Sequence, residues 1–391
     1  MAEDINIALF GQKFMARAHC NAYLKVSRFF NLTLNPVLHT ISDRDLIALA
    51  PFADRWGWKN YNTNWKEVAK DPAIGLVDIS TPTYSHAEQA LVAIAAGKHV
   101  ICESPIAASI KEARQMKNAA TKSRKVKTFV WYNYRRCPAV ALAHFLITGG
   151  KLGKVIHTRA QFLQNWAQPD EPLSWRFQKK YSGYGAHAEL NAQIIDIMRF
   201  VTGGEIAEVS GAVAETFVPE RVVAPAKDAR TGARRKAKGK VDVDDALAFV
   251  ARYENGALGV FESSRLANGN QNQLSFEINT EFGAIRFSLE DMNYLWVYDN
   301  RMADETRGWT RILATHAGVH PYAGAWWPDG HIIGFEHTYI NMLADVLAVL
   351  GGDKPILPVV DFADAYETQR VLEAAALAAR NRAAVKLAEI R

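Results

Sequence analysis

Ile5-Asn6-Ile7-Ala8-Leu9-Phe10-Gly11-Gln12-Lys13-Phe14-Met15-Ala16-Arg17-Ala18-His19 is the stretch that decides the fold. Ile5–Phe10 is a short apolar run that stops at a glycine, and a helical pattern over Phe14–Tyr23 follows. A buried strand that turns straight into a helix opens a βαβ unit. A dinucleotide-binding turn wants G-x-G-x-x-G; here the three positions hold Gly11, Lys13 and Ala16. Gly11 supplies the tight turn, and Ala16 is small enough for the helix to lie close to the sheet. Lys13 departs from the pattern: a cationic side chain stands where backbone usually approaches a pyrophosphate, and it can lie over the phosphates. The helix start offers free N–H groups and a favourable dipole, so Gln12, Phe14 and Met15 join the expected cofactor contacts. A buried βα turn that holds no ligand is the competing reading of the same residues.

Working outward, Pro36–Ile41 reads as a second strand, ending in Ser42-Asp43-Arg44-Asp45. A carboxylate there can take both ribose hydroxyls of an adenosine, which favours NAD. Arg44 can instead cradle a 2′-phosphate, so NADP stays open. Leu76–Ser80 is a third strand, closed by Thr81-Pro82 at the same sheet edge, which the switch-point rule turns toward the ligand. Helical patterns over Asp45–Trp56, His86–Ala96 and Ser109–Ser123 alternate with strands His99–Cys102 and Thr128–Tyr132. Such alternation predicts a doubly wound parallel sheet.

The pattern changes after about residue 150. Val155–Leu163 is followed by a helix, Leu190–Val201, and then by strands at Ile206–Phe217, Asp245–Tyr253, Leu258–Arg265, Gln273–Asn279, Gly283–Ser288 and Tyr294–Tyr298. Paired turn signals such as Glu254-Asn255-Gly256 predict a mostly antiparallel sheet with helices on one face. Helices return at Glu336–Leu350 and Asp361–Arg380. The expected organisation is an α/β domain over 1–135 and an α+β domain over 136–391, with the C-terminal helix packing back on the first.

Among 391 residues, 49% are hydrophobic and 22% charged, an ordinary globular balance. No apolar run reaches the roughly 20 residues of a membrane span, and the acidic N-terminus lacks a signal-peptide pattern. A cytoplasmic protein without membrane partners is expected. Cys20, Cys102 and Cys137 are far apart, so neither a disulfide framework nor a zinc site is indicated, and no His/Asp/Glu spacing suggests another metal. The net charge of +5 comes from one place: residues 227–240 hold seven basic residues against Asp228. A nucleic-acid binder spreads its basic residues over a face with aromatics among them. One Ala/Gly/Lys/Arg-rich run reads as a solvated loop, and no nucleic-acid partner is expected.

The run Gly97-Lys98-His99-Val100-Ile101-Cys102-Glu103-Ser104-Pro105-Ile106-Ala107 resembles the signature of the glucose–fructose oxidoreductase/inositol dehydrogenase (Gfo/Idh/MocA) family, usually GKHV-x-x-EKP-x-A. Asp78-Ile79-Ser80-Thr81-Pro82 with Ser85-His86, and Met15-Ala16-Arg17-Ala18-His19, match as well. Tyr132-Asn133-Tyr134-Arg135-Arg136, Trp326-Trp327-Pro328 and Gly330–His337 look most like the levoglucosan dehydrogenase branch. The resemblance spans almost the whole chain. It implies a Rossmann domain, then an α+β domain whose large open sheet carries the substrate face and the oligomer contacts of a homodimer or homotetramer. The implied activity is NAD(P)-dependent oxidation of a ring hydroxyl on a sugar, glycoside or polyol. His86, Glu103 and Asn133 then join the cofactor contacts. Arg135, Arg136, Asn165, Trp166, Trp175, Arg176 and His331 fall in segments facing substrate.

Three positions depart from that family, and they are the chemical ones. The lysine position of EKP holds Ser104. The second motif, usually G-A-L-x-D-x-G-x-H-x-x-D, reads Gly185-Ala186-His187-Ala188-Glu189-Leu190-Asn191-Ala192-Gln193-Ile194-Ile195-Asp196. Glu189 stands at the aspartate position and Gln193 at the catalytic histidine. Hydride removal from an alcohol needs a base for the hydroxyl proton; histidine serves well, and glutamine does not titrate. A serine offers a weaker, neutral hydrogen bond where lysine would stabilise developing charge. Glu189 and His187 are the remaining candidates for the base. Packing is the plainer reading of His187, and helix capping that of Glu189. Two other functions compete: an NAD-assisted lyase, hydrolase or epimerase on a keto-sugar, and a non-catalytic sugar- or NAD-binding protein on the same scaffold.

Overall fold

The computed structural model describes residues 2–223 and 237–390; most of the basic run 227–240 therefore lies outside the described residues. The chain forms two compact units. One comprises Met1–Gly149, Met292–Trp296 and Thr310–Glu367, the other Gly150–Asp291, Val297–Trp309 and Thr368–Arg391. A single cut at 135/136 does not reproduce this division, because the chain leaves the first unit and returns to it.

The first unit is built on a six-stranded sheet. Its strands are β1 (Glu3–Phe10), β2 (Leu34–Ser42), β3 (Asn60–Asn62), β4 (Leu76–Ile79), β5 (His99–Cys102) and β6 (Thr128–Val130). They run in the order β3-β2-β1-β4-β5-β6, every printed pairing parallel. This is the doubly wound Rossmann order, with its switch point between β1 and β4. The second half of β1 and all of β4 are buried, as strands covered on both faces must be. Crossovers run through α1 (Phe14–Phe29), α2 (Leu46–Trp56), α3 (Trp65–Lys70), α4 (His86–Ala95) and α5 (Ile110–Lys122), and α6 (Pro138–Thr148) follows β6. Ala16, His19, Cys20, Tyr23 and Val26 share the buried stripe of α1 at helical spacing. Helix α2 stops at Gly57, whose φ of +76° closes the last turn. The core on this side of the sheet joins Ile7, Leu9, Val26, Ile41 and Trp131 to Ile340, Leu343 and Leu347 of the helix Phe335–Gly351. A helix some 200 residues downstream thus completes the layer over β1 and β2.

The second unit holds β7 (Val155–Leu163), β8 (Ile206–Glu215), β9 (Ala246–Tyr253), β10 (Leu258–Ser264), β11 (Gln273–Thr280), β12 (Gly283–Ser288) and β13 (Val385–Lys386). These strands follow the order β12-β11-β7-β10-β9-β8-β13. All pairings among them are antiparallel except β7 with β10, which is parallel. Buried and open positions alternate along β9, β10 and β11, so one face is packed and the other is not. The open face carries a charged ladder, Arg159–Glu277–Arg286, with N–O distances of 3.1 and 2.6 Å. Apolar Leu258 and Val260 stand exposed beside it. No described helix is long and apolar enough to cross a membrane.

Candidate cofactor and active site

The turn after β1 is tight for a measurable reason. Gly11 has φ +110°, and its N–H donates to the Ser42 carbonyl at 2.8 Å. A Cβ there would lie 2.7 Å from Ser80 Oγ and 3.0 Å from the Ser80 carbonyl oxygen. Ser80 is itself pinned, since its backbone N–H and its hydroxyl both donate to the Phe10 carbonyl at 2.9 Å. The ends of β1, β2 and β4 therefore meet at one point, and only a glycine fits between them. Lys13 stands at the N-cap of α1 and makes no side-chain cap bond. Lys13 and Phe14 are exposed, Met15 is half-buried, and Gln12 is buried with its Nε2 3.4 Å from the Asp45 carbonyl.

Beside this turn lies a cleft of about 230 Å³, lined by Ser42, Asp43, Arg44, Thr81, Pro82 and Tyr84 among others. Asp43 reaches it from the end of β2, Thr81 and Pro82 from the end of β4. Arg44 Nη2 donates to Tyr84 Oη at 3.3 Å, forming one wall. An acidic group at the β2 end, a glycine turn that no Cβ could enter and an uncapped helix start are the features a dinucleotide requires. The residues present fit an NAD molecule. His86 is buried behind the cleft, with Nε2 2.7 Å from the Thr81 carbonyl and Nδ1 3.1 Å from that of Pro105. Burial pushes its pKa down, against the pull of those carbonyls.

Under the same sheet edge is a buried charged cluster. His19 of α1 has Nδ1 3.1 Å from Asp78 Oδ2 and Nε2 2.9 Å from Glu103 Oε1. Asp78, within β4, also accepts from Tyr23 Oη and Trp131 Nε1, each at 3.0 Å. Glu103, just after β5, accepts the Ser104 N–H at 3.1 Å on its other oxygen. Burial alone would lower the imidazole pKa; the two carboxylates, Asp78 foremost, outweigh it and raise it to about 9. The sequence pointed to Glu103 but not to His19 or Asp78 as its partners.

The Tyr132–Arg136 segment is inward-facing. Asn133 Nδ2 donates to Thr338 Oγ1 at 2.7 Å, and Arg135 pairs with Asp364 at 3.1 Å. Arg136 is fully buried, 3.2 Å from Asp345, and donates to the Pro358 carbonyl at 2.7 Å. Tyr322 Oη donates to the same aspartate at 2.6 Å. Burial raises the Asp345 carboxyl, and Arg136 opposes that rise. These two arginines are thus committed to carboxylates within the first unit. His331 is exposed, with Nδ1 2.8 Å from the Pro328 carbonyl.

In the second unit, Glu189 sits in a single π-helical turn, His187–Asn191, ahead of the helix Ala192–Thr202. Such turns often mark functional positions. Asp244 starts this run by accepting the N–H groups of Gly185 and His187 at 2.8 and 2.7 Å. Glu189 Oε1 lies 2.7 Å from Arg176 Nε, and the guanidinium stacks 4.4 Å from the centre of Trp175. His187 points the other way and is completely buried. Its Nε2 faces the Leu372 carbonyl at 2.8 Å, and its Nδ1 faces Asn191 Nδ2 at 2.9 Å. Burial pushes its pKa down, so both ring nitrogens are occupied in a neutral, packed imidazole. Gln193 follows Glu189 by one turn and is half-buried.

Arg221 and Arg265, which the sequence reading passed over, hold this region. Both are buried and clamp the Phe177 ring, at 3.9 and 4.5 Å from its centre. Arg265 pairs with buried Asp245 at 2.8 Å and donates to the Arg176 carbonyl at 3.0 Å. Arg221 donates to the Ala167 carbonyl at 2.7 Å. Trp166 packs against Phe177 at 5.7 Å between centroids. Two cations on one aromatic face-pair rigidify the loop that carries Trp166, Trp175 and Arg176.

Two family models match the chain. One, described as the oxidoreductase family with an NAD-binding Rossmann fold, matches residues 5–132; the GFO/IDH/MocA C-terminal domain matches residues 140–286. The chain is 36% identical over 378 residues to levoglucosan dehydrogenase from Pseudarthrobacter phenanthrenivorans, covering 95% of each chain. Among solved structures, an oxidoreductase domain protein from Kribbella flavida is 42% identical with a TM-score of 0.91, covering 99% of this chain and 100% of that one. A levoglucosan dehydrogenase in complex with NADH and L-sorbose is 35% identical with a TM-score of 0.91, covering 98% of this chain and 99% of that one.

Proposed function

The chain belongs to the Gfo/Idh/MocA oxidoreductase family, and from that premise we propose that it is an NAD-dependent dehydrogenase acting on a ring hydroxyl of a sugar, glycoside or polyol. The observation that carries this is the cleft at the ends of β2 and β4, with Asp43 on its wall and Gly11 at its floor turn. When bound, NAD supplies the hydride acceptor. Asp43 takes the adenosine ribose hydroxyls and disfavours a 2′-phosphate by like charge, so NAD is preferred over NADP. The first N–H groups of α1 and the Lys13 ammonium neutralise the pyrophosphate.

Glu189 is the proton acceptor in this reading. His187 is packed away and neutral, and Gln193 does not titrate. A carboxylate held by Arg176 is oriented to take a hydroxyl proton as the hydride leaves. Ser104 is a neutral donor at the position where the family has a charged one. Trp166, Trp175 and Arg176 form the aromatic and cationic wall for the ring. The open face of the second unit's sheet, with Leu258 and Val260 exposed beside its charged ladder, is the surface for a homodimer or homotetramer. Three buried free thiols suit a reducing, cytoplasmic compartment.

The test is NADH formation against a panel of sugars and anhydrosugars that includes levoglucosan and L-sorbose, the ligands of the related structures. Tight NAD binding with no reduction by any of them would sink the dehydrogenase reading. Product analysis showing a rearranged or eliminated sugar without net redox would replace it with the non-redox one.

A further inference from the structure

One buried cation links the helix of the phosphate turn to the strand end that carries Ser104. His19 lies on α1, which starts at the turn, and its ring is wedged between carboxylates from two strands, Asp78 and Glu103. Trp131 stacks on the ring at 4.4 Å, and Tyr339 lies 5.5 Å away. A neutral imidazole has one N–H and one lone pair. With an ionised carboxylate oxygen about 3 Å from each ring nitrogen, it would set a lone pair against one of them. Only the imidazolium donates to both. It also offsets two buried negative charges that would otherwise stand uncompensated, an arrangement proteins do not tolerate cheaply. Glu103 then passes the constraint on: one oxygen faces His19, and the other accepts the Ser104 N–H at 3.1 Å.

We propose that His19 is a positioning residue, whose imidazolium holds Glu103 and, through it, the Ser104 backbone at the ligand-facing edge of the sheet. The catalytic consequence rests on the dehydrogenase reading above; the positioning itself does not. The groups facing the ring are Asp78 and Glu103 from the strands, Tyr23 and Cys20 from α1, Cys102 from β5 and Tyr339 from the helix Phe335–Gly351. Burial raises Cys20 to about 12 and holds Tyr23, Cys102 and Tyr339 well above their ordinary values, with the carboxylates adding to it. His19, at about 9, is therefore the first of these acids to lose its proton as the pH rises. Its loss leaves Glu103 repelled by Asp78 and the Ser104 turn unrestrained.

The experiment follows the His19 ring nitrogens and the Ser104 amide together, in labelled protein with NAD present, from about pH 6 to about pH 10. We expect two ring protons at neutral pH, and a Ser104 amide signal that moves with the same midpoint as the ring, near 9. His19→Gln should remove that titration from the Ser104 signal; it should lower kcat about tenfold while the KM for NAD changes less than about threefold. Glu103→Gln should lower the His19 midpoint. A singly protonated His19 at neutral pH overturns the proposal. So does a Ser104 amide that stays still while His19 titrates, a wild-type measurement that needs no variant to fold. Coupled titration in a protein that binds NAD but oxidises no sugar supports the positioning role and removes the dehydrogenase reading instead.

Discussion

Replacing Gly11 with alanine separates two costs that the turn after β1 combines. The backbone there has φ +110°. Forcing a side chain into that region costs about 1–3 kcal/mol. The new Cβ would also lie 2.7 Å from Ser80 Oγ and 3.0 Å from the Ser80 carbonyl oxygen. Ordinary contact begins near 3.5 Å, so the turn or the β4 end has to retreat by about 0.8 Å. Ser80 is bonded twice to the Phe10 carbonyl and cannot rotate away without losing a bond. Overpacking of that kind costs a further 1–3 kcal/mol or so. The total, about 2–5 kcal/mol, is a large share of the roughly 5–15 kcal/mol that keeps a protein folded. Gly57→Ala is the control, because Gly57 has φ +76° and nothing within 4 Å of its Cβ. It should lose only the conformational part. Urea unfolding of the two variants reads the difference, and NAD titration reads the displaced N–H groups. Gly11→Ala should weaken NAD about tenfold or more, a loss of about 1.4 kcal/mol. If both glycine variants unfold at the same urea concentration, and NAD binding to Gly11→Ala stays within twofold of the wild type, the close-packed turn is not what fixes the cofactor.

Glu189→Gln keeps a partner for Arg176 but cannot accept a proton, so kcat should fall about 10²–10⁴-fold with NAD affinity unchanged; a threefold change in steady-state turnover would clear Glu189 of the role. Stability should fall as the pH rises through the alkaline range. His19 titrates at about 9 when folded against 6.5 as the ordinary value, so its stabilisation is whole below 6.5 and gone above 9. The gap is worth about 3 kcal/mol. Urea midpoints across that window should slope downward, and His19→Gln should flatten the slope. Ser104→Lys combined with Gln193→His restores the usual family residues; turnover of a related sugar should rise at least about tenfold if electrostatic and base functions were what those positions lacked. Unchanged rates in a variant that still binds NAD would place the determinant elsewhere.

The strand–glycine–helix passage from Ile5 to His19 was legible because its cues are local: apolar run, turn, small residue, amphipathic stripe. The parallel sheet followed from alternation alone, and the mostly antiparallel second sheet from turn signals and period-two burial. What escaped was set by partners distant in sequence. His19 meets Asp78 and Glu103 across 59 and 84 residues, so nothing near it marks it as charged. Arg135 and Arg136 look like surface cations until Asp364 and Asp345 are brought to them from more than 200 residues away. The parallel pairing of β7 with β10 leaves no trace in either strand's alternation, since both pairing types share the same period. The π-turn at Glu189 is likewise invisible, because an extra residue per turn shifts no letter.

The returning helix has a consequence for how the chain is made. Ile340, Leu343 and Leu347 belong to the same apolar layer as Ile7 and Leu9. A nascent chain emerges from its N-terminus at about 5–20 residues per second. All six strands of the first sheet are therefore synthesised some 10–40 seconds before the helix that covers them. During that interval the apolar face of α1 and β1 has no native partner in the part of the chain already made, and chaperone capture or self-association can compete for it. Truncation before Phe335 should make that exposure permanent: the shortened chain would keep every strand of the nucleotide-binding sheet and still aggregate.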